Sequence, residues 1–271
     1  MGFDSSLNLT DKQVASRELL TSYDWNEAPL KLSKYASSYG INLNNQQAQL
    51  VVDHLKLVLQ KNMQMNLTAI RNPSDSLILN SLDSLLFTSV LNCYSTSPKQ
   101  EERVLDLGTG AGFPGIPIAC STEFPVSLLD SVGKKIEACH GFIERLGLDD
   151  QVAAFHDRFE TFAQDYAEAN SFQFVVARAV APLGVLIEYA TPFLIPSGYL
   201  VLSKGNPTAD ELEYAVIASK VCGLIFVSRE TFELPESKGH REFYVYKKVS
   251  RSRIELPRKN GLAKNSPLRL H

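Results

Sequence analysis

The segment from Val104 to Pro117, VLDLGTGAGFPGIP, is the first place where residue types and spacing point to chemistry. Val104, Leu105 and Leu107 make a short apolar run suited to a buried parallel strand. Gly108, Gly110 and Gly112 then allow a tight turn that a ligand can approach closely. Two nucleotide cofactors use such a turn, dinucleotides of the NAD type and S-adenosylmethionine. Asp106, two residues before the first glycine, separates them: a carboxylate there disfavours a pyrophosphate and suits a cationic amine or sulfonium. Gly110, Gly112 and Gly115 also satisfy GxGxxG, so a dinucleotide stays open as an alternative, as does a glycine turn without a ligand.

In an open α/β sheet, ligands bind outside the carboxyl ends of the strands. Asp130 ends the next apolar run, where it can accept both ribose hydroxyls, with Ser131 continuing the loop; the competing role is a surface acid capping the following helix. Phe159 and Glu160, beside Arg158, fall where an adenine would lie. The fourth strand ends in Ala177-Arg178-Ala179-Val180, with neither the Asn/Asp-Pro-Pro-aromatic sequence that holds an exocyclic amine nor a Pro-Cys nucleophile. A nucleophile with a free lone pair, such as guanine N7, needs neither device and requires mainly positioning. Arg178 would orient a cofactor carboxylate or a guanine O6, or serve only as a structural ion-pair residue. The five histidines show no metal-ligand spacing, so no metal is expected, and His156-Asp157 reads as a solvated pair. Cys93, Cys120, Cys139 and Cys222 form no CxxC pair and read as reduced core residues.

These groups need a scaffold. Strands are expected at 103–107, 126–130, 151–155, 172–177, 199–203, 224–232 and 243–248, with crossover helices clearest at Lys134 to Leu146 and Leu183 to Leu194. Right-handed βαβ units in a Rossmann-like doubly wound sheet follow, closed by the last two runs as an antiparallel edge hairpin. Upstream, Asn44 or Asn45 caps a helix carrying Leu50, Val51, Leu55, Val58 and Leu59. Ser74 or Asp75 starts another with Ile78, Leu82 and Leu85 on its apolar side, flanked by Leu77 and Leu86. The divisions expected are a polar, poorly ordered extension over 1–28 with one helical turn near Lys12 to Leu20, a helical layer over 29–95, the main α/β domain over 96–249 and a basic arm over 250–271.

A hydrophobic content of 44% in 271 residues supports one large domain with an appendage. No stretch reads as a membrane-spanning helix and the start, Met1 to Asn8, lacks a signal-peptide layout, so a cytoplasmic location is expected. The net charge of −3 hides an asymmetry, because Lys247 to His271 carries +7 and the rest −10. Such a tail reads either as an arm on RNA phosphates or as a solubilising segment.

Taken together, several blocks resemble the bacterial small-subunit rRNA guanine-N7 methyltransferase family, the glucose-inhibited division B group. They are Asn66-Leu-Thr-Ala-Ile-Arg71, Leu82-Asp-Ser-Leu85, the glycine loop with Phe113-Pro-Gly-Ile-Pro117, Leu128-Leu-Asp-Ser131, Ala177-Arg-Ala179, Lys204-Gly205, and Pro257-Arg-Lys259 with Gly261 and Pro267-Leu268. The resemblance runs from about Ile41 to Leu268. It implies a class I S-adenosylmethionine-dependent methyltransferase fold with a helical N-terminal extension, acting on a guanine of 16S rRNA, free or in an assembling small subunit. By motif, the cofactor contacts would be Gly108, Phe113, Phe159, Glu160 and Arg178, with Ser131 nearby, beside Asp106, Gly110 and Asp130 from the reading above. RNA contacts would be Asn66, Arg71, Asp83, Ser84, Arg258 and Lys259. Asn80 and Asn265 depart from the family's usual histidine and lysine, and loss of that histidine would alter phosphate contact or rate. A monomeric enzyme without a general base is expected; a non-catalytic S-adenosylmethionine-binding RNA chaperone or regulator is the alternative.

Overall fold

The computed structural model describes residues 11–164 and 168–268, of which residues 11–13 are described by backbone alone. Met1 to Asn8, Arg269 and His271 therefore lie outside the described residues. Seven strands form one sheet: β1 Val104–Leu107, β2 Val126–Asp130, β3 Val152–His156, β4 Phe172–Arg178, β5 Leu194–Lys204, β6 Leu224–Glu233 and β7 His240–Lys248. Their order is β3-β2-β1-β4-β5-β7-β6. The first five run parallel, while β7 is antiparallel to both β5 and β6, so the expected edge hairpin forms. The longer helices are α1 Asp11–Ser22, α2 Ala28–Ser37, α3 Asn45–Lys61, α4 Pro73–Tyr94, α5 Gly115–Ser121, α6 Gly133–Leu146, α7 Leu183–Ala190 and α8 Ala209–Cys222.

Both faces of the sheet are covered, and the two-residue period of the strands divides the core. Val104, Val126, Leu128, Phe174, Val176, Val201, Phe243 and Val245 pack against α1 to α6. Leu105, Leu107, Leu129, Val175, Ala177, Leu200, Leu202 and Tyr244 pack against α7, α8 and the C-terminal segment. Asp106 and Arg178 fall in step with the first set, which aims both at the N-terminal helices.

Several expectations are corrected. The polar extension carries α1, whose Leu20 joins the core, and the Trp25 indole N–H donates to the Leu20 carbonyl at 3.0 Å. The cap of α4 is Asn72, followed by Pro73, in place of Ser74 or Asp75. This helix runs on through a π-helical stretch, Leu77–Leu82, and is long and apolar enough to cross a membrane, contrary to the reading of the sequence. Asn80, Ser81, Asp83 and Ser84 hide that length by breaking the apolar run, and 78% of the helix's most apolar window is buried inside the protein. β5 begins at Leu194 because Pro196-Ser197-Gly198, which reads as a turn, is absorbed where the register against β4 shifts. α7 stops at Ala190, where Thr191 turns its hydroxyl back onto the Ile187 carbonyl and Pro192 follows. α8, between β5 and β6, is a further helix, capped by the Thr208 side chain accepting from the Glu211 amide. Cys93 is exposed, whereas Cys120, Cys139 and Cys222 are buried as expected.

The basic segment after Lys248 is not a free arm. Arg253 N–H donates to the Val221 carbonyl at 2.8 Å, Ala263 and Leu268 enter the core, and Arg258 grips buried Glu188 through two bonds of 2.7 and 2.6 Å.

Candidate active site

The glycine loop leaves β1 and is strapped from several sides. Gly108 and Thr109 amides donate to the Leu129 carbonyl at 2.7 and 3.2 Å, and the Gly110 amide donates to Asp130 Oδ2 at 3.0 Å. Asp130 Oδ1 accepts the Val132 amide at 2.9 Å, so this carboxylate ties the glycine loop to the start of α6. Each of its oxygens keeps a further acceptor site, and the residue is 7% exposed. From below, His54 on α3 donates through Nε2 to the Ala111 carbonyl at 2.9 Å and packs its ring on Phe113, centroids 4.6 Å apart. Burial holds the imidazole down at about 3, so it is neutral, and its Nδ1 has no partner. The Cys139 thiol of α6 donates to the Gly110 carbonyl at 3.6 Å.

Asp106 lies under this loop, fully buried. Its Oδ2 accepts the Thr109 hydroxyl at 2.6 Å and the Gly115 amide at 2.8 Å, while Oδ1 has no partner. Burial pushes the carboxyl up to about 7, against the pull of those two donors and of Arg178. Gly108, Gly110 and Gly112 all have positive φ, +76, +61 and +87°. A Cβ on Gly108 would meet Val180 at 2.6 Å, whereas one on Gly110 would meet nothing within 4 Å, leaving space above that residue. This cradle, with an orphaned buried acceptor and a second acid at the neighbouring strand end, fits a nucleoside that carries positive charge.

Arg178 ends β4, immediately before Ala179 at φ +55°. Its Nη1 donates to the Leu79 carbonyl and to Asp83 Oδ2, both at 3.0 Å, its Nη2 donates to Asn80 Oδ1 at 3.2 Å, and the guanidinium stands 5.5 Å from the Phe113 ring centroid. The structural ion pair weighed from the sequence is thus present, and it joins the glycine loop to the π-helical turn of α4. Such turns recur at functional sites. Asp83 accepts a second guanidinium, Arg241 Nε at 3.0 Å.

The remaining candidates divide. Ser131 is exposed, and its carbonyl accepts His156 Nε2 at 3.2 Å, so the exposed His156 also supports the loop. Phe159 meets Tyr189 edge to face at 5.2 Å, while Glu160 accepts the Gly261 amide at 2.8 Å and thereby holds the C-terminal segment. Among the proposed RNA contacts, Asn66 is exposed, Arg71 is half-buried and Lys259 is exposed. Asp83 is 2% exposed between two arginines, Ser84 is fully buried with its hydroxyl on the Asn80 carbonyl, and Arg258 is spent on Glu188; none of these side chains is available to a polynucleotide. Asn80, which stands in place of the family's usual histidine, is also buried, accepting from Arg178 and donating to Ser76 Oγ at 2.8 Å.

Sequence reasoning missed His54, Cys139 and Asn62. Asn62 accepts the Leu67 and Thr68 amides at 2.7 and 3.0 Å and so shapes the loop bearing Asn66. A polar residue in the apolar stripe of α3 was the only signal for His54.

A family model described as rRNA small subunit methyltransferase G matches residues 47–239. The chain belongs to that family. A ribosomal RNA small subunit methyltransferase G of Alkaliphilus metalliredigens is 32% identical over 247 residues, covering 90% of this chain and all of the relative. One from Listeria welshimeri is 34% identical over 230 residues, 84% of this chain and 94% of the relative. A putative O-methyltransferase structure from Klebsiella pneumoniae superposes with a TM-score of 0.50 at 16% identity over 73% of this chain and 90% of that one, which supports the class I methyltransferase fold alone.

Proposed function

We propose that the protein methylates N7 of a guanine in 16S rRNA, using S-adenosylmethionine held on the glycine loop. Family membership makes it a methyltransferase of small-subunit rRNA. The observation that carries the cofactor assignment is the pair of buried acids flanking the loop, Asp106 with its unpartnered Oδ1 and Asp130 at the β2 end. Asp106 would face the cofactor's cationic end and Asp130 its ribose hydroxyls, with Gly108, Gly110, Phe113 and Ser131 lining the loop and Phe159 and Glu160 at the adenine. When bound, S-adenosylmethionine would supply a methyl group on a positively charged sulfur that can keep the C–S electron pair as the methyl is transferred. Guanine N7 donates its own lone pair and carries no proton, so the chain has to position, desolvate and orient, with no base to provide. Arg178, fixed by Leu79, Asn80 and Asp83, acts as a positioning residue that holds Phe113 and α4 together at the mouth. Asn66, Arg71 and Lys259 supply RNA contacts. The substrate is the free rRNA or the assembling subunit, and the protein acts as a cytoplasmic monomer.

Calorimetry should register S-adenosylhomocysteine and no heat from NADH. Nucleoside mass spectrometry of rRNA from a strain lacking the gene should show one site stripped of 7-methylguanosine; an unchanged content would leave only a cofactor-binding RNA chaperone.

The raised Asp106 carboxyl adds a pH test. In the free protein it holds a proton between its ordinary value of 3.8 and about 7 that the unfolded chain has released, so its contribution to stability is lost as pH rises through that window. A positively charged ligand favours the ionised form, so affinity for S-adenosylmethionine should rise from pH 6 to pH 8. Asp106→Asn should flatten both dependences, and an undiminished rise in its affinity would dissociate Asp106 from the cofactor.

A further inference from the structure

A groove of about 1230 Å³ lies between α3 and α6. Its walls carry the indole of Trp25, the thioether side chains of Met63 and Met65, and four cations, Lys56, Lys61, Lys134 and Arg145. None of those four has an ion-pair partner among the described residues. Asp53 and Glu137 are the groove's acids, and Asp53 already accepts the Gln49 side chain at 3.0 Å. A net positive groove on a chain of net charge −3 is a local concentration of charge, not a reflection of composition.

Its geometry is linear. Lys134 and Arg145 lie eleven residues apart on α6, close to three full turns, so they share one face about 16 Å apart along the axis. Lys56 and Lys61 face them from α3. Lys56 also stands 5.5 Å from the Trp25 ring centroid, and Tyr23 meets that ring edge to face at 4.9 Å. An aromatic and sulfur-lined floor between rows of unpaired ammonium and guanidinium groups is the chemistry of a single-stranded polynucleotide site.

We infer that the groove between α3 and α6 is a second RNA-binding surface, taking an unpaired stretch of the substrate rRNA with bases against Trp25 and phosphates against Lys56, Lys61, Lys134 and Arg145. The inference rests on the rRNA-methyltransferase reading. Lys134 lies three residues beyond Ser131, so a strand following the groove leaves it beside the cofactor cleft. Base contact tolerates sequence, and the surface would anchor RNA flanking the target without selecting the guanine.

Trp25 is the only tryptophan in the chain, so indole fluorescence, excited where the ten tyrosines do not absorb, reports on this groove alone. Titrating the intact protein with a 16S rRNA transcript should quench it saturably. The double variant Lys61→Gln with Arg145→Gln alters two exposed side chains. It should weaken rRNA binding roughly tenfold at moderate salt and reduce the slope of log affinity against log salt by about 1.4. Affinity for S-adenosylhomocysteine should be unchanged, which also verifies folding. Unaltered fluorescence, or an unaltered salt slope in the variant, overturns the groove while the methyltransferase reading stands. No rRNA binding by the unaltered protein overturns both. Intact binding to naked rRNA, with methylation lost only on assembled subunits, assigns the groove to a ribosomal protein and equally overturns an RNA surface.

Discussion

Asp83→Ala is expected to destabilise the protein by about 3–5 kcal/mol, among the largest effects of any single side chain outside the apolar core. The carboxylate is 3% exposed and holds two guanidiniums at 3.0 Å, Arg178 on β4 and Arg241 on β7. Removing it leaves two cations that are themselves only 16% and 21% exposed without the carboxylate that both contact, and much of the desolvation already incurred on folding is no longer offset. Arg241→Gln keeps the Asp83–Arg178 pair and should cost considerably less. Denaturant unfolding of the three proteins measures this, and a loss below about 1 kcal/mol for Asp83→Ala would refute a joint role for the two pairs. Cofactor affinity in Arg241→Gln should stay close to that of the unaltered protein, because Arg178 would still be held by Asp83, Asn80 and the Leu79 carbonyl.

Gly108→Val should abolish measurable cofactor binding. At φ +76° a β-branched residue is strained by about 1–3 kcal/mol, and its first carbon would fall 2.6 Å from a Val180 methyl. Either Val180 moves, shifting the segment after Arg178, or the loop lifts out of line with Asp130. The combined effect should exceed about 100-fold in affinity for S-adenosylhomocysteine, equivalent to roughly 3 kcal/mol. Gly147→Ala is the control: its φ of +64° imposes similar strain at the end of α6, but its Cβ meets nothing within 4 Å, so binding should persist. Normal affinity in Gly108→Val would place the cofactor elsewhere.

The sheet was legible because its strands are short apolar runs separated by helical periods, a pattern that buried parallel strands impose. The acids at 106 and 130 were legible for a related reason: a charged residue inside or ending such a run needs a partner or a ligand. What escaped was long-range partnering. Nothing local to Asp83 or Arg258 reveals that each is committed to an opposite charge 95 or 70 residues away, so both read as free for RNA. The basic tail read as a solvated arm because charge density says nothing about Ala263 and Leu268, which fasten it to α7 and α8. His54 escaped for the complementary reason, since a helix residue that supports a loop 57 positions away looks like an irregularity in its own helix.

The most direct measurement is a transfer assay with the purified chain, methyl-labelled S-adenosylmethionine and 16S rRNA supplied both as naked transcript and as small subunits lacking the modification. After digestion to nucleosides, the label should appear as 7-methylguanosine from a single position, and should disappear with Gly108→Val. Label on any other base or atom, or none from either substrate under conditions where the cofactor is bound, would contradict the account.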